Sequence, residues 1–409
     1  MKTLYISYFG ALKHLCQTQV IPYLKELSKE GIEVTLLSFE ERLSSPEDER
    51  RQKNKLMGRL AESKIQWHHL RYHKKPSLPA TVYDVLVGIV YASYLVIRKN
   101  IDVVHARSHV PAAMALVLRA LFGVKMLFDL RGVMAEEYVD AGTWKKGSLP
   151  FRITKWVEGK SLRKADAIVM LTRKIKDVLE TDSPDLRANP VPIEIIPSCV
   201  DLAKYPSMDG TLLRHQLGLK DKTVMVYSGS LTGWYLTEEM VRLFAAGRSS
   251  IDRFHFLVLT MSRYELITEV LEKYGIPRDA YTITSVPAED MPAYLSAGDF
   301  AISFIKPCYS KLSSSPTKIG EYLASGLPII TNTGIGDVDD LMRGKGIGAL
   351  IDSFNSSSYK QALAEMLNLL ANREEMRRRC RQAAESYFSL SNVGKEGYLR
   401  VYQRLGWER

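Results

Sequence analysis

The sequence predicts an α/β protein made of two doubly wound parallel-sheet domains in tandem. Three observations carry this reading. The 409 residues are too many for one ordinary core and suit two domains of roughly 200 residues each. Apolar runs of strand length recur along the whole chain, and segments of helical period separate them, as buried parallel strands and their crossovers require. Pro197, Pro206 and Gly210 interrupt this periodicity midway, which places a domain boundary near 199–210.

In the first half the strand-like runs are Thr3–Phe9, Glu33–Phe39, Ile65–Leu70, Val103–Ala106, Lys125–Leu130, Ala167–Leu171 and Ile193–Pro197. Helical period fills Leu15–Glu30, Ala80–Lys99 and Pro111–Phe122 between them. In the second half the strands are Val224–Gly229, His255–Thr260, Tyr281–Val286, Phe300–Ile305, Leu327–Thr331 and Ala349–Ile351. Its helices are Glu238–Gly247, Glu265–Tyr274, Met291–Ser296 and Pro316–Ser325. Arg42–Lys75 is rich in charge and reads as surface helix and loop. In open α/β sheets ligands bind beyond the carboxyl ends of the strands. Two such domains are expected to face each other across a cleft, so chemistry is sought just after strands.

The bulk numbers narrow the class. Hydrophobic residues make up 46% and charged residues 25% of the chain, as in soluble globular proteins. Cys16, Cys199, Cys308 and Cys380 lie far apart, which points to a reducing compartment without a disulfide or zinc framework. Met1 leads straight into a strand-like run, so no leader peptide is read there. The longest apolar run, Val85–Ile97, is shorter than the roughly 20 residues of a membrane span and reads as a buried helix. The net charge of +10 suits anionic ligands or a membrane surface; no nucleic-acid motif accompanies it.

Four stretches carry candidate chemistry. In SSSPTKIGEYLASGLPII, residues 313–330, Ser315 reads as an N-cap, Pro316 as the first helical residue and Gly326 as the C′ residue. Lys318 then falls in the first turn, where the helix dipole disfavours a cation. A phosphate bound at the free N–H groups of Thr317 and Lys318 would resolve that conflict, and Glu321, one turn on, would suit two vicinal hydroxyls. A plain surface Lys–Glu pair fits the spacing equally well. His105-Ala-Arg-Ser-His109 and Asp129-Leu-Arg131-Gly132 each follow a strand; the alternatives are a polar helix-capping loop and a structural ion pair. Ser228-Gly229-Ser230-Leu-Thr-Gly233 reads as a small-residue turn that a phosphate can approach, or as an ordinary strand–helix turn. Thr143–Lys164 holds seven Lys/Arg and one Glu, with Leu149, Ile153, Trp156 and Val157 at helical spacing. It suits anionic lipid or an anionic acceptor, or a core-packed helix with a solvated basic face.

PTKIGEYLASGLPII resembles the second-domain signature of glycosyltransferase family 4, the retaining enzymes of the GT-B fold. IIPSCVDLAKY is similar to the family's domain-joining segment, VPAEDMPAYLSAGDFAISF to its stretch before the donor helix, and DVVHARS and FDLRG to its first-domain strand ends. The resemblance implies an acceptor-side domain over 1–200, a nucleotide-sugar domain over 201–390 and a helix over 391–409 crossing back to the first. It implies retaining transfer of a sugar from a nucleotide-sugar to a glycan or lipid-linked acceptor in bacterial cell-surface polysaccharide synthesis. It implies no cofactor and no metal. By the resemblance, Glu321 meets the ribose, Ser285 and Val286 the base, and His105 the donor sugar, with Asp129 and Arg131 beside it. Gly229, Ser230, Lys311, Ser313, Thr317 and Lys318 line the donor.

Two departures stand out. Ser313 occupies the place of the first Glu of the family's E-x7-E. Trp234 and Tyr235 stand in the region where many members carry an Arg and a Lys, leaving Lys306, Lys311 and Lys318 nearest the phosphates. The expected setting is cytoplasmic or peripheral at the inner face of a membrane. A sugar-nucleotide epimerase of the same architecture and a non-catalytic binding subunit are the alternatives.

Overall fold

The computed structural model describes residues 1–43, 45–182, 186 and 191–408. The chain forms two compact units, Met1–Pro197 with Leu390–Arg409, and Ser198–Ser389.

Unit 1 contains a parallel sheet of β1 (Lys2–Ser7), β2 (Glu33–Glu40), β3 (Gln66–Arg71), β4 (Val103–Arg107), β5 (Lys125–Leu130), β6 (Ala167–Met170) and β7 (Ile193–Ile195). Their order is β3-β2-β1-β4-β5-β6-β7, so the winding reverses between β1 and β4. In register, Tyr5 lies beside His105, and Arg107 lies beside Asp129. β1 and β4–β6 are buried along nearly their full length, as strands covered on both faces must be. The helices are α1 (His14–Gln19), α2 (Ile21–Lys29), α3 (Pro46–Ala61), α4 (Ser77–Lys99), α5 (His109–Phe122), α6 (Met134–Asp140), α7 (Leu149–Lys164) and α8 (Arg173–Asp182).

Two expectations change here. The helix expected over Leu15–Glu30 is broken at Val20, because Pro22 supplies no N–H and begins a new helix. The apolar run Val85–Ile97, read as a buried helix, lies on the surface. Ala80, Asp84, Gly88, Ala92, Leu95 and Val96 of α4 face inward, while Leu86 and Val90 are 58% and 72% exposed.

Unit 2 contains a parallel sheet of β8 (Thr223–Ser228), β9 (Phe254–Leu259), β10 (Tyr281–Thr284), β11 (Phe300–Ser303), β12 (Ile329–Asn332) and β13 (Gly348–Ile351). Their order is β10-β9-β8-β11-β12-β13. The chain leaves the centre through β8, β9 and β10, then returns beside β8 as β11. The reversal between β8 and β11 opens a crevice at their carboxyl ends, where doubly wound sheets place ligands. The helix Thr317–Ala324 follows β11. It ends where the next residue but one, Gly326, takes φ +79° and Pro328 prevents its continuation.

The last segment of the chain belongs to unit 1. A π-helical turn, Leu390–Lys395, leads into the helix Glu396–Arg404. Tyr398, Leu399, Val401 and Tyr402 of that helix are buried.

Candidate functional site

In unit 2 the site is built from the ends of β8 and β11. Tyr322, on the helix Thr317–Ala324, is fully buried and its hydroxyl accepts from Ser228 N at 2.7 Å. This bond fixes the helix against the last residue of β8. Gly320 lets the same helix approach Phe388 and Val200 closely; a Cβ there would stand 3.1 Å from Phe388 Cβ. One turn before Tyr322, Lys318 is carried inward to the turn after β8. Its Nζ lies 3.6 Å from the Tyr235 ring centroid and 4.3 Å from that of Tyr227, and it donates to Tyr227 Oη at 3.2 Å. Gly229 faces it with φ +127°, and a Cβ at that position would stand 2.8 Å from Nζ. Glycine therefore meets two requirements here, the positive φ and the space for the ammonium.

Burial pulls the Lys318 ammonium down to about 7, with Glu321 opposing. The faces of Tyr235 and Tyr227 favour the charged form. Lys311, on the 3-10 turn Tyr309–Ser313, is also buried, and its Nζ lies 3.9 Å over the Trp234 ring. The segment holding both aromatics is tied to the end of β11. Lys306 N donates to Trp234 O at 2.8 Å, Leu236 N donates to Phe304 O at 3.0 Å, and Tyr235 bridges Ile305. Trp234 and Tyr235 thus each present a ring to one lysine. The aromatic pair that stands where a basic pair was expected holds two cations brought from the neighbouring strand end.

The other donor candidates of unit 2 divide. Ser230 is exposed in the turn after β8, and its Oγ accepts from Thr232 N at 3.2 Å. Ser313 is buried, with Oγ donating to Ser310 O at 2.6 Å; the family's first Glu would be replaced by an inward hydroxyl. Thr317 opens the helix. Ser315, expected as its N-cap, instead accepts from Ser198 N at 3.0 Å, and Pro316 occupies the cap position. Pro316 lacks the N–H that a first helical residue would leave unused, so it serves one position earlier than expected. Glu321 is half-buried, and the hydroxyl of Tyr205, also half-buried, donates to it. Ser285 is exposed and Val286 buried just after β10.

The unit 1 candidates are placed differently from the expectation. His105 was expected beyond a strand end; it is the third residue of β4 and has no exposed surface. Its ring packs 4.3 Å from that of Tyr5. Nδ1 lies 3.1 Å from the Tyr402 hydroxyl, and Nε2 lies 3.6 Å from Asp129 Oδ2. A lone pair on Nε2 would face a carboxylate, so Nε2 carries the proton and Tyr402 donates to Nδ1. Thr3 Oγ1, 3.0 Å from that hydroxyl, completes the chain. Burial holds the imidazole below its ordinary range, so it is neutral at pH 7.

Asp129, also expected after a strand, lies within β5 and is fully buried. Tyr398 donates to its Oδ2 at 3.0 Å, while Arg107 Nη1 lies 3.7 Å from Oδ2 and Arg131 Nη1 3.5 Å from Oδ1. Burial works against its charge, but Arg131, His105 and Arg107 together hold the carboxyl well below the usual range. Both tyrosines come from the final helix, one turn apart. The network binds that helix to β4 and β5, and Asp129 and Arg131 lie within ion-pair distance of each other. His109 is turned inward to Glu158, 2.9 Å away.

The sequence reading missed Glu40, Tyr205 and Tyr322. Glu40 is buried at the end of β2, where it accepts from Ala11 N at 2.6 Å and from Ser38 Oγ at 2.5 Å, holding the loop after β1. A carboxylate closing an apolar strand was its one signal. Tyr322 had none beyond its place in the helix. Among the described residues no group of three or more His, Cys, Asp or Glu is placed to hold a metal ion.

Residues 17–204 match the family model described as Glycosyltransferase Family 4, and residues 211–387 match Glycosyl transferases group 1. The chain belongs to the family 4 glycosyltransferases. Its two parallel-sheet units have the GT-B architecture. The alpha-D-kanosaminyltransferase of Streptomyces kanamyceticus is 23% identical over 265 residues. That match takes in 62% of this chain and 64% of the relative's length. Among solved structures, sucrose-phosphate synthase from Thermosynechococcus elongatus superposes with a TM-score of 0.75 at 14% identity, covering 99% of both chains. Anabaena HepE in complex with UDP and glucose superposes at 0.68 and 14% identity, covering 98% of this chain and 99% of that one. The two family matches together span most of the chain.

Three outcomes are expected. Replacing His105 with Ala removes a buried ring and one of the two partners of the Tyr402 hydroxyl, at a cost of about 2–4 kcal/mol in denaturant unfolding. Tyr402→Phe costs about 1 kcal/mol. Unchanged stability with lower turnover in His105→Ala would return that residue to the reacting centre. Gly229→Ala strains the backbone by about 1–3 kcal/mol and displaces the Lys318 ammonium. It is expected to weaken diphosphate binding more than nucleoside binding when the two are titrated in parallel.

Proposed function

We propose that this enzyme transfers a sugar, with retention, from a nucleoside diphosphate sugar to a glycan or lipid-linked acceptor of the bacterial cell surface. Unit 2 is the donor-binding part in this reading, and no metal or other cofactor takes part. The observation that carries the proposal is Lys318, a cation buried in the first turn of a helix beside the glycine turn after β8. That position combines the N–H groups of a helix start with a lysine ammonium, which is the chemistry a diphosphate needs.

The leaving diphosphate gains charge as the glycosidic bond breaks. Lys318, Lys311 and the N–H groups at the helix start are positioned to stabilise it electrostatically. Trp234 and Tyr235 hold the two ammonium groups in place before the donor arrives, so little reorganisation is needed. Glu321, one helical turn on from Lys318, retains acceptor capacity for ribose hydroxyls beside its bond from Tyr205. The proposed setting is the cytoplasmic side of a membrane, with UDP as the first nucleotide to test because HepE is complexed with it.

Calorimetry with uridine, UMP and UDP tests the reading. Lys318→Gln is expected to weaken UDP binding by about 1.5–3 kcal/mol and to leave uridine nearly unaffected. Glu321→Gln is expected to weaken all three. Equal losses for uridine and UDP in Lys318→Gln would remove the phosphate role.

A pH dependence accompanies it. Burial holds Lys318 at about 7, and a bound diphosphate would raise it, so UDP binding takes up a proton above that pH. Affinity should fall as pH rises through and beyond about 7, and the uptake, read from buffer-dependent heats, should vanish in Lys318→Gln. The folded lysine binds fewer protons than the unfolded one between about 7 and its ordinary value near 10.4. Its contribution to stability therefore rises with pH across that window, and Lys318→Gln should flatten the rise.

A further inference from the structure

The outer face of unit 1 formed by α4, α5 and α7 has no role in the donor site. α4 packs on α5, and α5 packs on α7, so the three helices make one layer. Twelve of the 23 exposed large hydrophobic side chains among the described residues lie on them. On α4, Val82, Leu86, Val90, Tyr94 and Ile97 are 50–72% exposed. Their spacing of four, four, four and three residues makes one stripe about 22 Å long. The layer continues through Leu121 of α5 and through Leu149, Ile153 and Trp156 of α7, which are 42–64% exposed.

The charges on these helices are all of one sign at the surface. The acidic residues of the three helices are Asp84 and Glu158, and both are buried. Asp84 is occupied by Tyr8 and His73, and Glu158 by His109 and Lys155. The basic residues are eight: Arg98, Lys99, Arg119, Arg152, Lys155, Lys160, Arg163 and Lys164. Arg119 pairs with Asp166 and Lys155 with Glu136, which removes some of that charge from the face. Lys74, Lys75, Lys145 and Lys146 stand just before α4 and α7.

We infer that this layer is the surface by which unit 1 docks on an anionic lipid bilayer. A wide apolar stripe edged by cations, with tyrosine and tryptophan among the outward side chains, is the pattern of an element lying in the headgroup region. A protein partner would normally leave polar, hydrogen-bonding rim residues on such a face; α4 offers none between Asp84 and Arg98 beyond Ser93 and the hydroxyls of Tyr91 and Tyr94. α4 has the length and apolarity to cross a membrane, but its inner face is locked into the fold. Gly88 leaves room for Met114 and Phe39, where a Cβ would come within 2.8 and 2.9 Å. It therefore lies on the bilayer and does not span it. The inference deepens the peripheral-membrane part of the proposed function and rests on that reading only in placing the acceptor at a membrane.

Sedimentation of the full chain with phosphatidylcholine vesicles, with and without phosphatidylglycerol, tests it. The wild type should bind the anionic vesicles and not the neutral ones, with binding lost at high salt. Leu86→Glu with Val90→Glu should abolish binding, and Arg152→Gln and Lys160→Gln should each weaken it about fivefold. UDP affinity should be unchanged in all of them, so a failure of the docking face is distinguishable from a failure of the donor site. No binding to anionic vesicles, or equal binding by the Glu variants, would overturn the inference. So would a dimer in analytical ultracentrifugation that the Glu variants dissociate, which would assign the stripe to a second copy of the chain.

Discussion

The arrangement of unit 2 depends on keeping one ammonium group out of water at the start of a helix. An isolated buried cation is costly, and the helix dipole adds to the cost. The surrounding structure offsets this through ring faces, one hydroxyl and a neighbouring carboxylate. Tyr322 holds the helix to β8, Gly229 leaves the space, and Tyr227 and Tyr235 supply the faces. The second lysine over Trp234 repeats the arrangement with a residue from a separate loop.

Unit 1 uses buried charge for a different purpose. Asp129 is surrounded by Arg107, Arg131, His105 and Tyr398, and nothing in that cluster is open to solvent beyond a small part of Arg107 and Arg131. The two tyrosines that reach into it stand four residues apart on the final helix. Such a network is directional in a way that apolar packing is not. It selects one register of that helix against β4 and β5, and so closes the N-terminal unit with residues from the far end of the chain. A motif such as HARSH can thus mark a structural joint as readily as a catalytic loop.

The surface of the same unit follows from where its acids go. Asp84 and Glu158 are consumed by interior partners, so the outward faces of α4 and α7 carry no acidic group and their charges are all basic. Composition supplied the excess of cations; burial of the two acids concentrated it on one face. The outward stripe of α4 could not be told from a core helix by hydropathy, because both read as an uninterrupted apolar run.

The positions of the strands and their alternation with helices were legible in the sequence because period and apolarity report local burial directly. Among the described residues, all thirteen strands fall where apolar runs predicted them, with ends shifted by a few residues. The unusual place of Lys318 was legible too, since a cation at a helix start contradicts a local rule. What the sequence could not decide was which side chains meet. That Trp234 and Tyr235 receive lysines from beyond β11, that His105 answers to Tyr402 almost 300 residues away, and that Val90 faces outward are all set by pairing between distant segments. Sequence periodicity determines which residues share a face, but only the packed sheet determines what that face meets.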